Sequence, residues 1–101
     1  MGTWAIGGRD WGKADDEVSG RAINKALDCG MTLPDTADVY GFRRSEELTG
    51  RVLEDRGRPD VITATKAGND FYDATSADDK GYGPIMQNYD REYLSRRPRK
   101  V

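Results

Sequence analysis

The chain has 101 residues, 36% apolar and 34% charged, with a net charge of -2. One domain with a thin core is the most this supports, and so small a net charge gives no general attraction to nucleic acid or to an anionic membrane. Histidine is absent, which excludes Ser-His-Asp and Cys-His catalysis and histidine-ligated zinc.

No apolar run approaches the roughly 20 residues of a membrane helix. No basic, apolar, small-residue succession of a signal peptide opens the chain. The single Cys29 cannot form an internal disulfide, so the expected compartment is the reducing cytoplasm. No metal site is expected.

Residues 1–6 form a short apolar run closed by Gly7 and Gly8 and predict a strand. Gly8 to Lys13 is loop. Asp15 or Asp16 can cap a helix running to about Cys29, with Val18, Ala22, Ile23, Ala26 and Leu27 as its apolar stripe. Gly30 stops that helix from the usual left-handed C-terminal position. Residues 31–34 predict a strand leading into Asp35. A second helix is expected to start with Ser45 as its N-cap, and Glu46 and Glu47 in the first turn suit the helix dipole. It buries Leu48, Val52 and Leu53 and ends near Arg56 and Gly57. Residues 58–60 are a turn. Residues 61–65, β-branched and uncharged, are the clearest strand and deliver Lys66.

Strand, helix, strand, helix, strand over residues 1–66 predicts an α/β unit with parallel strands and right-handed crossovers. The polar residues of interest follow the strands, at the end where α/β folds place their chemistry. From 67 to 89 the pattern is lost and a long loop is expected. Residues 90–101 read as an abortive helix, capped by Asp90, and a basic tail expected to be disordered.

Asp35, Tyr40 and Lys66 sit near successive strand ends and together suit proton handling. A free phenol, with a pKa of about 10, is too weak an acid to serve well near neutrality. A nearby ammonium strengthens it, and a carboxylate beside that ammonium keeps it charged. Plainer readings exist for each. Asp35 can cap a turn, Tyr40 can be a half-buried aromatic with its hydroxyl in water, and Lys66 can reach solvent. Trp4 is either core or pocket lining. Asp38 reads as structural and Cys29 as inert.

Gly2-Thr3-Trp4 at a strand end, Asp35-Thr36-Ala37 with Tyr40-Gly41, Ser45-Glu46-Glu47 and Thr65-Lys66 together resemble the aldo-keto reductase family, in its bacterial branch. The resemblance covers residue 1 to about residue 94. It implies a (β/α)8 TIM barrel, of which this chain would be about the first three of eight βα units. It implies an oxidoreductase that reduces aldehydes and ketones to alcohols with NADPH, NADH being possible, on a small-molecule carbonyl substrate and without metal. On that resemblance Tyr40 would be the general acid, Lys66 would make it more acidic, and Asp35 would hold Lys66. Gly2, Thr3, Trp4 and Asp35 would line the nicotinamide and substrate pocket.

The chain also departs from the family pattern. The family's catalytic histidine follows a later strand, and this chain has none. Pro34 stands where the family has a bulky apolar residue, Arg43 where it typically has glycine, and Thr49 where the inner helix face is apolar. A truncated or decaying gene product is the expectation, with little or no activity by itself. Its open sheet edges should invite self-association. A non-catalytic interaction module on the same fold is the alternative.

Overall fold

A computed structural model describes residues 1–8, 12–71 and 85–96. Its main helices are α1, Asp16–Asp28, and α2, Arg44–Arg56. Each follows an extended segment. Three such segments, 1–3, 32–36 and 62–66, lie side by side through the parallel bridges Gly2↔Asp35 and Asp35↔Ala64. Asp35 N–H donates to Met1 O at 2.8 Å, and Thr3 N–H donates to Asp35 O at 3.0 Å. On the other side, Ile62 N–H donates to Thr32 O, Ala64 N–H to Pro34 O, and Thr36 N–H to Ala64 O, at 2.8 to 3.0 Å. Pro34 has no N–H to give, so the ladder lacks a rung there, although its side chain is fully buried.

The expected parallel order is present, but each pairing is a single bridge and the strands are shorter than predicted. The first does not extend to Ile6. Residues Ala5–Gly7 close into a turn of 3-10 helix, ended by Gly8 at φ 77°, and the apolar Ile6 serves the core from that turn. The predicted loop 67–89 is also corrected in part. Asn69–Asp70 (β1) pairs antiparallel with Met86–Gln87 (β2). A short helix, α3, follows at Arg91–Arg96. The Tyr93 hydroxyl donates to Asn69 O at 2.8 Å and ties α3 to β1. The middle of that loop, 72–84, and the basic tail from residue 97 lie outside the described residues.

α1 starts as expected. The Asp15 carboxylate accepts from Val18 N–H at 2.9 Å, and Gly30, at φ 91°, follows the helix end. Its buried line is Ser19, Ile23 and Leu27, at steps of four. Val18, expected on the stripe, is 54% exposed, because the face that meets α2 runs one residue later. Gly20 faces α2 as well, and a Cβ there would lie at an ordinary contact distance of 3.9 Å from the Val52 side chain. Ile6, Ile23, Leu27, Leu48 and Val52 make the core, with Met31, Leu53 and Val61 packed against it. Two ion pairs clip the helices at their ends: Arg44 with Asp16 at 2.7 Å and Arg56 with Asp28 at 2.6 Å. Both partners are 28 residues apart.

α2 does not begin at Ser45. Its cap position is Arg43, in the left-handed region at φ 76°, and helix residues start at Arg44. The Ser45 side chain is fully buried and spent elsewhere. Among the described residues no helix is long and apolar enough to cross a membrane.

Candidate functional site

Side chains alternate along an extended segment, and this alternation gives the three segments two faces, most sharply near their centre. Thr3, Pro34 and Thr36 are buried on the helix side. Gly2, Trp4, Leu33, Asp35, Ile62 and Lys66 are exposed and fall on the opposite face by register. Of the residues singled out for chemistry, Gly2, Trp4, Asp35 and Lys66 therefore share one face, while Thr3 falls on the other.

The loop 37–43 returns the chain across the ends of the segments. It is a run of tight turns: Tyr40 N–H donates to Ala37 O, Phe42 N–H to Val39 O, and Arg43 N–H to Asp38 O at 2.7 Å. Gly41, Phe42 and Arg43 all have positive φ, at 63°, 51° and 76°. Two glycines let this loop lie against the first turn. A Cβ on Gly7 would stand 2.7 Å from Gly41 N and from the Tyr40 carbonyl carbon, a separation that real Cβ atoms do not adopt. Phe42 packs on Phe71, with ring centroids 5.1 Å apart.

This packing brings Tyr40 to Lys66 and Trp4. The Lys66 ammonium donates to the Asp35 carboxylate and, at 3.0 Å, to Thr36 O. It lies 5.2 Å from the Tyr40 ring centroid. The Trp4 and Tyr40 rings stack with centroids 6.1 Å apart and 20° between planes. The hydrogen bond to Asp35 raises Lys66 above its ordinary value of 10.5; partial burial opposes this and Tyr40 assists it. The lysine therefore stays an ammonium through the neutral range, with its charge beside the phenol ring.

Of the residues expected to line a pocket, Trp4 is 48% exposed, and Gly2 has open space where a side chain would stand. Thr3 is placed differently. It is fully buried, and its hydroxyl donates to Asp35 O at 2.9 Å, so its side chain belongs to the layer beneath the site. Asp38 is fully buried. Its N–H donates to Lys66 O at 3.4 Å and its carbonyl accepts from Arg43. Cys29 is exposed, away from this cluster at the end of α1.

Two residues that read as helix-start signals in the sequence connect with the cluster from below. Ser45 Oγ lies 2.7 Å from Thr3 Oγ1 and 3.0 Å from Thr36 Oγ1. Glu46, almost fully buried, accepts from the Thr65 hydroxyl at 2.5 Å. The available signal is the run of threonines at positions 3, 36 and 65, polar residues on the face that should pack against helices.

The sequence profile of the Aldo/keto reductase family matches residues 1–100. Aldo-keto reductase YhdN of Bacillus subtilis (strain 168) is 50% identical over 72 residues, which are 70% of this chain and 22% of that protein. The NADH-specific methylglyoxal reductase of Escherichia coli (strain K12) is 41% identical over 70 residues, 67% of this chain and 22% of that protein. In the solved structure of aldo-keto reductase AKR11C1 from Bacillus halodurans (holo form), a similar region superposes with a TM-score of 0.74 at 26% identity. It covers 95% of this chain and 28% of that one. The chain thus spans about a quarter of the length of these proteins. A profile match over nearly every residue, together with the shared fold, places the chain in the aldo/keto reductase family.

Proposed function

We propose that residues 1–66 are the first part of a (β/α)8 barrel and carry the proton-donating side of a carbonyl reduction site, with NADPH as cofactor and NADH as the alternative. The observation that carries this reading is the position of Lys66, between the Asp35 carboxylate and the Tyr40 ring. In the proposed roles Tyr40 gives its phenolic proton to the carbonyl oxygen of a small aldehyde or ketone. The Lys66 ammonium beside the ring stabilises the phenolate left behind. Asp35, with Thr36 O, holds that ammonium in place, and Trp4, stacked on Tyr40, restrains the phenol ring.

A nicotinamide cofactor, when bound, would supply the hydride. The exposed face fits its flat ring. Gly2 leaves open space, Trp4 offers a half-exposed aromatic surface, and the Asp35 carboxylate reaches the same face. Gly2, Trp4 and Asp35 would hold that end. Thr3 would act from underneath.

The chain by itself is proposed to be inactive. It holds no histidine to complete the family's catalytic set, and its three extended segments would form less than half of a closed barrel. NADPH absorbance in the presence of a small aldehyde should stay flat. A steady decrease that Tyr40→Phe abolishes would overturn this. The site assignment has a separate test, a hybrid in which residues 1–66 replace the matching segment of a full-length family member. Its turnover should fall by about 10²–10⁴-fold on Tyr40→Phe. Unchanged turnover in that variant, with cofactor still bound, refutes the role of Tyr40.

A second reading, self-association through the open edges, is favoured by exposed apolar groups on the same face. Ile62 is 71% exposed and Leu33 53% exposed, beside an extended segment with an unpaired edge among the described residues. Sedimentation velocity across a concentration series should show reversible oligomers that Ile62→Lys weakens. A monomer at all concentrations removes this reading.

A further inference from the structure

We infer that Ser45 and Glu46, the first turn of α2, are positioning residues that set where Asp35, Tyr40 and Lys66 stand. The inference rests on the reading of those three residues as a functional cluster.

The geometry is a relay of hydroxyls that ends on the site. Thr36 Oγ1 donates to Ser45 Oγ at 3.0 Å, and the Ser45 hydroxyl donates to Thr3 at 2.7 Å to Oγ1. Thr3 Oγ1 in turn donates to Asp35 O at 2.9 Å. Each oxygen gives one proton and receives one where it can, so the chain of donors is consistent in direction. Ser45 N–H also donates to Tyr40 O at 3.2 Å. One serine therefore joins the segment of Trp4, the segment of Asp35 and the loop of Tyr40. Thr36 couples the relay to the lysine as well, since its carbonyl accepts from the Lys66 ammonium.

Glu46 acts on the third segment. Its carboxylate takes the Thr65 hydroxyl at 2.5 Å, one residue before Lys66. Thr3, Thr36, Ser45 and Glu46 are each 0 or 1% exposed. A polar group so deeply buried is costly unless satisfied, and a satisfied network admits few alternative geometries. Apolar side chains at these places would pack the same layer but would not fix the depth or rotation of each segment. The helix is thus a jig beneath the site, with two polar side chains reaching three segments: Ser45 the first two and Glu46 the third.

The test uses the chain as it is and needs no turnover. The side-chain carbon next to the Lys66 nitrogen is followed by NMR through alkaline titration, with helix content followed by circular dichroism on the same samples. In the parent chain the Lys66 midpoint is expected to lie above the ordinary lysine value, because the Asp35 carboxylate accepts from its ammonium. Ser45→Ala and Thr65→Val, each removing one oxygen, should return the midpoint toward that ordinary value with helix content kept. Ser45→Thr and Glu46→Gln, which keep the donor or acceptor, should retain the raised midpoint. Asp35→Asn is the reference variant that abolishes the pair directly. If Asp35→Asn shifts Lys66 but Ser45→Ala and Thr65→Val leave it unmoved, the positioning role is wrong and the cluster stands. If Asp35→Asn itself has no effect, the cluster reading fails and takes the inference with it. Should Ser45→Ala unfold, Thr65→Val on the partly exposed third segment carries the decision alone.

Discussion

Thr49 offers a one-atom experiment on the stability of this fold. It lies on the buried face of α2, is fully excluded from solvent, and its hydroxyl has no hydrogen-bond partner among the described residues. Thr49→Val replaces that hydroxyl with a methyl group of nearly the same shape. An unsatisfied buried hydroxyl costs about 1–3 kcal/mol, and a buried methyl contributes up to about 0.8 kcal/mol. Threonine and valine have similar helix propensities, so the backbone contribution largely cancels. The expected gain is about 1–2 kcal/mol. For a domain near 100 residues each kcal/mol moves Tm by about 4–8 °C. Thermal melts at 222 nm should therefore place the Thr49→Val variant clearly above the parent, with a matching rise in the urea midpoint at unchanged slope. Thr49→Ser, which keeps the hydroxyl and removes the methyl, should fall below the parent. An unchanged or lower Tm for Thr49→Val would mean that the hydroxyl is satisfied, for instance by the carbonyl one turn earlier. The reasoning from its unpartnered state would then be wrong.

Three more outcomes follow from the same structure. Arg43 sits at φ 76°, so Arg43→Gly should be more stable than Arg43→Ala by about 1 kcal/mol, since both remove the side chain and only glycine relieves the backbone; equal urea midpoints would refute the strain. Ile23 is fully buried in the core, and Ile23→Ala should cost about 2–5 kcal/mol, a large part of the roughly 5–15 kcal/mol available to a chain of this length, read as loss of cooperative melting. The pH profile should fall at both ends. Lys66 is raised above 10.5 by Asp35, so its contribution is complete below about that pH and is lost as pH rises through the folded value, a loss that Lys66→Met should remove. Asp28 is lowered below 3.8 by its hydrogen bond to Arg56 and Asp60 by Arg58. Their contributions are present above that pH and disappear as pH falls through the folded values, measured as urea midpoints between about pH 2 and 6.

Local chemistry makes the helices legible in the sequence. Asp15 and Gly30 bound α1 because a side-chain acceptor and a left-handed glycine act within a few residues of their own position, and Gly57, at φ 57°, does the same for α2. The strands are less legible. The apolar run at 1–6 has the composition of a strand, but Ile6 reaches the core from a 3-10 turn, and nothing local separates those two uses of an isoleucine. Ser45 misleads for the opposite reason. Serine is a good cap by propensity, but here tertiary burial takes its hydroxyl, and Arg43 is left at the cap in a strained conformation. The pairing of Asn69–Asp70 with Met86–Gln87 is not visible because two residues per strand carry no periodicity. The proximity of Asp35, Tyr40 and Lys66 can be anticipated from their places after successive segments. The hydroxyl layer beneath them cannot, because it depends on which threonine faces which helix.

The two clips between α1 and α2 have a consequence for how this chain tolerates changes in length. Asp16 and Asp28 near the ends of one helix match Arg44 and Arg56 on the other with the same offset. A residue inserted inside either helix rotates everything after it by about 100° and advances it by about 1.5 Å. One clip would then be lost and Ile23 or Val52 turned off the core. A residue inserted at 58–60 or 12–14 leaves both helices in step. Length variation among natural or engineered versions of this unit should therefore collect in the connectors, while the thirteen-residue span of each helix is held like the spacing of teeth on a gear.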